Sequence, residues 1–228
     1  MRFFILGGLS ITAQIWMQIF VICTLIYMLW RHKRDSLLVF LVLLFFPRVF
    51  IFMGKNVENL YKVSLLLMCL YICWERKVWK RYTTKDLGYI AAFIVLSAAF
   101  FYSTFFYSHD SITIIFSQYA RYLEIFLLWF LLNDAIFYRN QKDYILKFLY
   151  EIVLVQVIIS IFKLLVFQTQ IEGLVGSFTI GGGGVGTSFP IIGFYIIYVY
   201  RRGQLQKMDW WLIVGLFLFG WTTGKRAV

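Results

Sequence analysis

The sequence predicts an all-α, polytopic membrane protein with about eight transmembrane helices. Three observations carry this reading. Of the 228 residues, 61% are hydrophobic and only 14% are charged, too few polar groups to cover a water-soluble domain of this length. The apolar residues come in long blocks, not in amphipathic stripes. Lys and Arg gather in alternate gaps between the blocks, the sidedness that membrane insertion imposes. The net charge of +11 follows from those basic gaps and excludes nucleic acid as a needed partner. The first apolar block is too long for a cleavable signal and has no small-residue site before "RHKRD".

A span needs about 20 residues at about 1.5 Å each. The blocks assign spans to residues 8–30, 36–54, 57–74, 88–107, 112–133, 144–167, 186–200 and 209–224, in a single transmembrane domain 1–228. Pro47 interrupts the second, and "GKNVENLYK" crowds the third with polar groups. Residues 36–74 therefore also allow one full span and one broken or re-entrant piece. The gap after span one holds Arg31, Lys33 and Arg34, and the gap after span three holds Arg76, Lys77, Lys80, Arg81 and Lys85. Arg139, Lys142 and Lys147 follow span five, and Arg201, Arg202 and Lys207 follow span seven. These segments are expected in the cytoplasm. "SHDS" and "TQIEGLVGSFTIGGGGVGTSF" are expected outside.

Seven basic residues break the pattern: Arg48, Lys55, Lys62, Arg121, Lys163, Lys225 and Arg226. On this topology all fall in the outer half of the membrane or at its outer surface. A charge at a helix centre costs at least about 2.5–3.5 kcal/mol, so Arg121 needs a polar cavity or a partner. Glu124, three residues on, offers a structural pair. Lys163 and Arg48 lie near span ends, where long side chains reach the headgroups. Taken together, several outward cations form a site for an anionic group, and Arg forks suit phosphate.

The glycine-rich stretch supplies a second element of that site. Gly176, Gly183 and Gly186 let backbone N–H groups approach a phosphate or sugar. A helix starting near Thr187, with Pro190 in its first turn, adds its positive dipole end. A bare flexible loop is the alternative. Thr187 stands where a phosphate-loop Lys would be, which excludes nucleotide hydrolysis. His109 and Glu172 are the outward acid–base candidates. His32 reads as solvated in a cytoplasmic basic cluster, and Glu151 as lying in the cytoplasmic half of span six. Cys23, Cys69 and Cys73 all sit inside apolar blocks, and the last two, one helical turn apart, read as small buried hydrophobes. No metal cluster or Ser-His-Asp spacing appears in the sequence.

Gly176-Ser177-Phe178 with the glycines after it, and Thr223-Gly224-Lys225-Arg226-Ala227 closing an apolar helix, resemble two motifs of one family. These are the O-antigen ligases and O-antigen or capsule polymerases (Wzy-type), whose motifs stand in this order. Lys225 occupies the place of a Ser and Ala227 that of a Gly. "RYLEIFLLWFLL" around Arg121 is similar to the family's Arg-bearing helix. The resemblance implies a GT-C-like helical bundle in a bacterial inner membrane with its active side outward. It implies a metal-independent glycosyltransferase, without cofactor, that moves a glycan from polyprenyl diphosphate to another glycan. Arg226 and Arg121 would contact the diphosphate, with Lys225, Arg48 and Lys163 assisting. The partners implied are the lipid-linked oligosaccharide, membrane lipid, and chain-length regulator or flippase proteins. It also implies that the chain is the N-terminal portion of a longer enzyme. The competing expectations are a transporter or flippase for an anionic or lipid-linked substrate, and a non-catalytic assembly subunit.

Overall fold

The computed structural model describes residues 11–46, 55–81, 84–107, 112–166 and 185–222. These residues form helices and turns, with no strand among them. The eight α-helices among the described residues are α1 (Ile11–His32), α2 (Ser36–Phe45), α3 (Lys55–Glu75), α4 (Thr84–Tyr107), α5 (Ile112–Asn133), α6 (Lys142–Val166), α7 (Val185–Tyr200) and α8 (Lys207–Thr222). The chain divides into two units, one of Met1–Phe52 with Asp143–Val228 and one of Met53–Lys142.

Two stretches, Asp86–Phe106 of α4 and Lys142–Phe162 of α6, are long and apolar enough to cross a membrane. Helices stand at all eight expected positions among the described residues, and the second departs most from its expected bounds. Its helix covers only Ser36–Phe45, about 15 Å long, and residues 47–54 lie outside the described residues. The reason is local. Proline disfavours helix in the residue before it, and α2 ends at a Phe46 cap whose N–H returns to the Leu43 carbonyl. α7 begins at Val185, so Pro190 is the sixth residue of the helix and not in its first turn. It has no N–H for the Gly186 carbonyl.

In the first unit, α2 forms the interior. It is apolar all round, as a fully packed helix must be, and Leu37, Leu38, Phe40, Leu41 and Val42 are buried. Asp35 starts it, accepting the Leu37 and Leu38 N–H groups at 2.9 and 3.4 Å. Gln156, buried in the middle of α6, donates to the Phe45 carbonyl at 3.2 Å. It thereby meets one of the carbonyls a helix end leaves unbonded. Phe20 stacks on Phe162 at 4.3 Å between α1 and α6. Val153 and Val157 of α6 share a core with Ile197 of α7 and Leu212, Ile213 and Leu216 of α8. Gly193 permits the close fit there: a Cβ on it would lie 2.8 Å from Leu216 Cδ1.

In the second unit, α3 and α5 pack through Leu65, Cys69, Ile72 and Cys73 against Leu127, Phe130 and Leu131. α5 passes directly into one π-helical turn, Asp134–Tyr138. α4 meets α5 through aromatic stacks, Phe93 on Phe126 at 3.9 Å and Tyr89 on Trp129 at 4.2 Å. Much of the rest of α4 is exposed, Ile94, Val95, Leu96, Phe105 and Phe106 among it. An aromatic-lined cavity of about 130 Å³ lies between α4 and α5, with one polar contact, Tyr119 OH to Ser97 Oγ at 3.2 Å.

Candidate functional site

Each unit gathers its ionisable side chains at defined levels of its helices. In the first unit they collect at one end. Arg31 at the end of α1 donates to Glu151 of α6 at 2.9 Å and to the Tyr27 hydroxyl at 3.0 Å. His32 Nε2 lies 3.2 Å from the other Glu151 oxygen, with its ring edge-on to Phe148. Arg202 beyond α7 pairs with Asp143 at 3.3 Å. Asp209 in the first turn of α8 is fully buried. It accepts from Arg201 Nε, Tyr150 OH and the Gln206 N–H, each at 2.8 Å. That last bond is the reach-back of a third-position carboxylate to the helix start. Arg201 also lies over the rings of Tyr150 and Tyr200.

The Asp209 bond raises Arg201 above its ordinary pKa, and the Tyr27 hydroxyl, then Glu151, raise Arg31. Both guanidiniums therefore stay charged at any accessible pH.

These contacts bring together the end of α1, the start of α6, the end of α7 and the start of α8. The basic segments after spans one and seven, with Lys147 from the start of α6, thus share one end of this unit. His32 departs from its sequence reading. It is not solvated but 9% exposed, because Glu151 and Phe148 close over it. Of the cysteines, Cys69 and Cys73 are buried and Cys23 is exposed on α1.

In the second unit a polar ladder follows the α3–α5 seam. Tyr61 and Cys69 lie within electrostatic reach of Glu124, which is 5% exposed. Cys69 and Cys73 are within hydrogen-bond reach of each other, and Cys73 is near Asp134 and Arg76. Asp134, buried in the π turn, accepts from Arg139 Nε at 2.8 Å. The ends of α3 and α5 therefore coincide, and the two helices run parallel. Arg139 caps the π turn; Asn140 beyond it has φ 53°, a conformation Asn tolerates, and the Gln141 N–H returns to the Ala135 carbonyl at 2.8 Å.

Most residues singled out from the sequence fall outside this description. Arg48, His109, Glu172, Gly176, Gly183, Lys225 and Arg226 lie outside the described residues. Gly186 and Thr187 are in the first turn of α7, Arg121 is on α5 and Lys163 is on α6, with only their backbone described. Backbone position is still informative. Lys62 and Arg121 sit in the first half of α3 and of α5, away from the basic end of their unit. Lys163 sits in the last turn of α6, away from the basic end of its own. The sequence reading missed the Asp209 and Asp134 clusters. The one available signal was an acid in the first turn of a span or just past its end, each close to Arg in sequence. Among the described residues no three His, Cys, Asp or Glu side chains group as metal ligands. None of the protein families, curated proteins or solved structures compared with the chain matches it.

Proposed function

We propose that the chain is a multi-pass bacterial inner-membrane protein that acts in transfer of a polyprenyl-diphosphate-linked glycan to another glycan at the outer face. Arg121 and Lys163 support this most directly. Each stands on an apolar helix in the half away from the basic end of its own unit, where a charge costs energy unless an anion or partner meets it. A lipid diphosphate is such an anion. Its departure needs positive charge where negative charge develops, and Arg121 and Arg226 are suited to supply it. The glycines through Gly186, with Thr187, lead into the start of α7, the end of a helix that favours phosphate. The motif resemblance at residues 176–178 and 223–227 supplies the reaction class.

Glycan analysis tests this in cells carrying the intact gene. Arg121→Ala and Arg226→Ala abolish long-chain polysaccharide while the protein stays at normal levels in the membrane. Arg226→Lys is impaired as well, since a point charge does not replace a bidentate fork. Long chains from both Ala variants would remove the diphosphate role. The buried ladder from Tyr61 to Asp134 favours a second reading, a transporter of an anionic or lipid-linked substrate. On that reading deleting the gene leaves the substrate on the cytoplasmic side, still competent for chemistry there.

A further inference from the structure

The basic end of the first unit carries more positive charge than its own acids consume. Asp209 is engaged by Arg201, Glu151 by Arg31, Asp143 by Arg202, and Asp35 by the start of α2. Lys33, Arg34, Lys147 and Lys207 stand exposed beside these pairs. Two large indoles lie just inside the cations along the helices. Trp30, near the end of α1, is 65% exposed, and Trp211, near the start of α8, is 76% exposed. Lys33 lies 5.7 Å from the Trp30 ring centre. Indoles favour the headgroup level of a bilayer and cations the phosphates just beyond it.

From this layering we infer that the end formed by α1, α6, α7 and α8 is a binding surface for anionic phospholipid headgroups. Lys33, Arg34, Lys147 and Lys207 meet the phosphates, and Trp30 and Trp211 fix the depth. A charged partner protein would have no use for exposed indoles set below its own charges, whereas a lipid leaflet has acyl chains at that level. The inference rests on the membrane reading above but not on the transferase one. A chain that leaves the membrane in alkaline carbonate fails the membrane reading itself.

The test is native mass spectrometry of the purified full chain, titrated with phosphatidylglycerol and, separately, with phosphatidylcholine of the same acyl chains. At about 50 mM salt the glycerol lipid binds about tenfold or more tightly, as four surface cations require. At about 500 mM salt the preference falls below about twofold, because exposed charges are screened. The variant K33Q/R34Q/K147Q/K207Q shows no preference at low salt. Equal binding of the two lipids by the unaltered chain at low salt overturns the inference and leaves this end to an acidic protein partner. A preference that persists in the variant, or at high salt, overturns it too. If the variant does not fold, the salt titration of the unaltered chain decides alone.

Discussion

A carboxylate with no solvent exposure keeps its charge only if the protein replaces every hydrogen bond that water would have made. Asp209 meets that condition with a guanidinium, a phenol and a backbone N–H. Asp209→Ala leaves Arg201, whose side chain is 23% exposed, without its carboxylate, and leaves the partly buried Tyr150 hydroxyl without its acceptor. Complete burial would put the loss at 3–5 kcal/mol, and partial exposure of Arg201 brings it to about 2–3 kcal/mol. Thermal unfolding of the detergent-solubilised chain falls by roughly 5 °C or more. Asp209→Asn keeps an acceptor for Tyr150 and loses less. Equal stability of all three proteins would show the cluster to be neutral. None of this was legible in the sequence, where Asp209 was only the first residue of a span. His32 failed for the same reason. A histidine among bases reads as solvated until Glu151, far along the chain, is brought beside it. Burial of Cys69 and Cys73 was legible, because both sit among apolar neighbours on one face of a helix.

At the scale of elements, the hydropathy and length of the apolar blocks did most of the work. α5 has the bounds 112–133 that its apolar block predicts, and α1, α3, α4, α6, α7 and α8 begin and end within a few residues of theirs. Apolar runs mark where a helix is favourable, but not where its hydrogen bonding changes. The π turn after α5 therefore left no trace in hydropathy. Pro47 did give warning that the second span would not run intact. Close packing between helices is equally invisible in hydropathy, and Gly193 is its clearest instance. Ala there gains up to about 1 kcal/mol in helix propensity. Its Cβ, however, meets Leu216 Cδ1 at 2.8 Å, in a side chain buried in the α6–α7–α8 core. Overpacking of this kind costs about 1–3 kcal/mol, so the balance is a net loss of about 1 kcal/mol. Shortening Leu216 removes the obstacle. The double variant G193A/L216A therefore loses less stability than the two single losses added together, measured by thermal unfolding in one detergent. Strict additivity would mean that the two side chains do not compete for the same space.

At the scale of the whole chain, the seven disobedient cations and the obedient ones make one argument about sidedness. The basic turns after α1 and α7 share one end of the first unit, with the start of α6. Those after α3 and α5 share one end of the second. Within each unit this agrees with the alternation of loops read from Lys and Arg. Most of the outward half of the predicted site, Gly176 and Arg226 included, lies outside the described residues. Its legibility rests on sequence motifs and on helix direction alone. Labelling of single cysteines tests the direction. The background is the chain with Cys23→Ser, which removes its exposed thiol and leaves Cys69 and Cys73 buried. On the proposed inner-membrane topology, new cysteines at Arg34, Lys80, Lys142 and Gln204, all exposed near basic turns, react in intact spheroplasts only after the membrane is opened. A cysteine at Gly183, in the glycine-rich stretch, reacts with an impermeant maleimide from outside without opening. Each basic turn carries several cations, so the four positions must agree. Labelling of any one of them from outside breaks the alternation at that helix. Labelling of all four from outside inverts the chain, turns Arg121 and Lys163 toward the cytoplasm, and removes the charge argument for an outer-face diphosphate site.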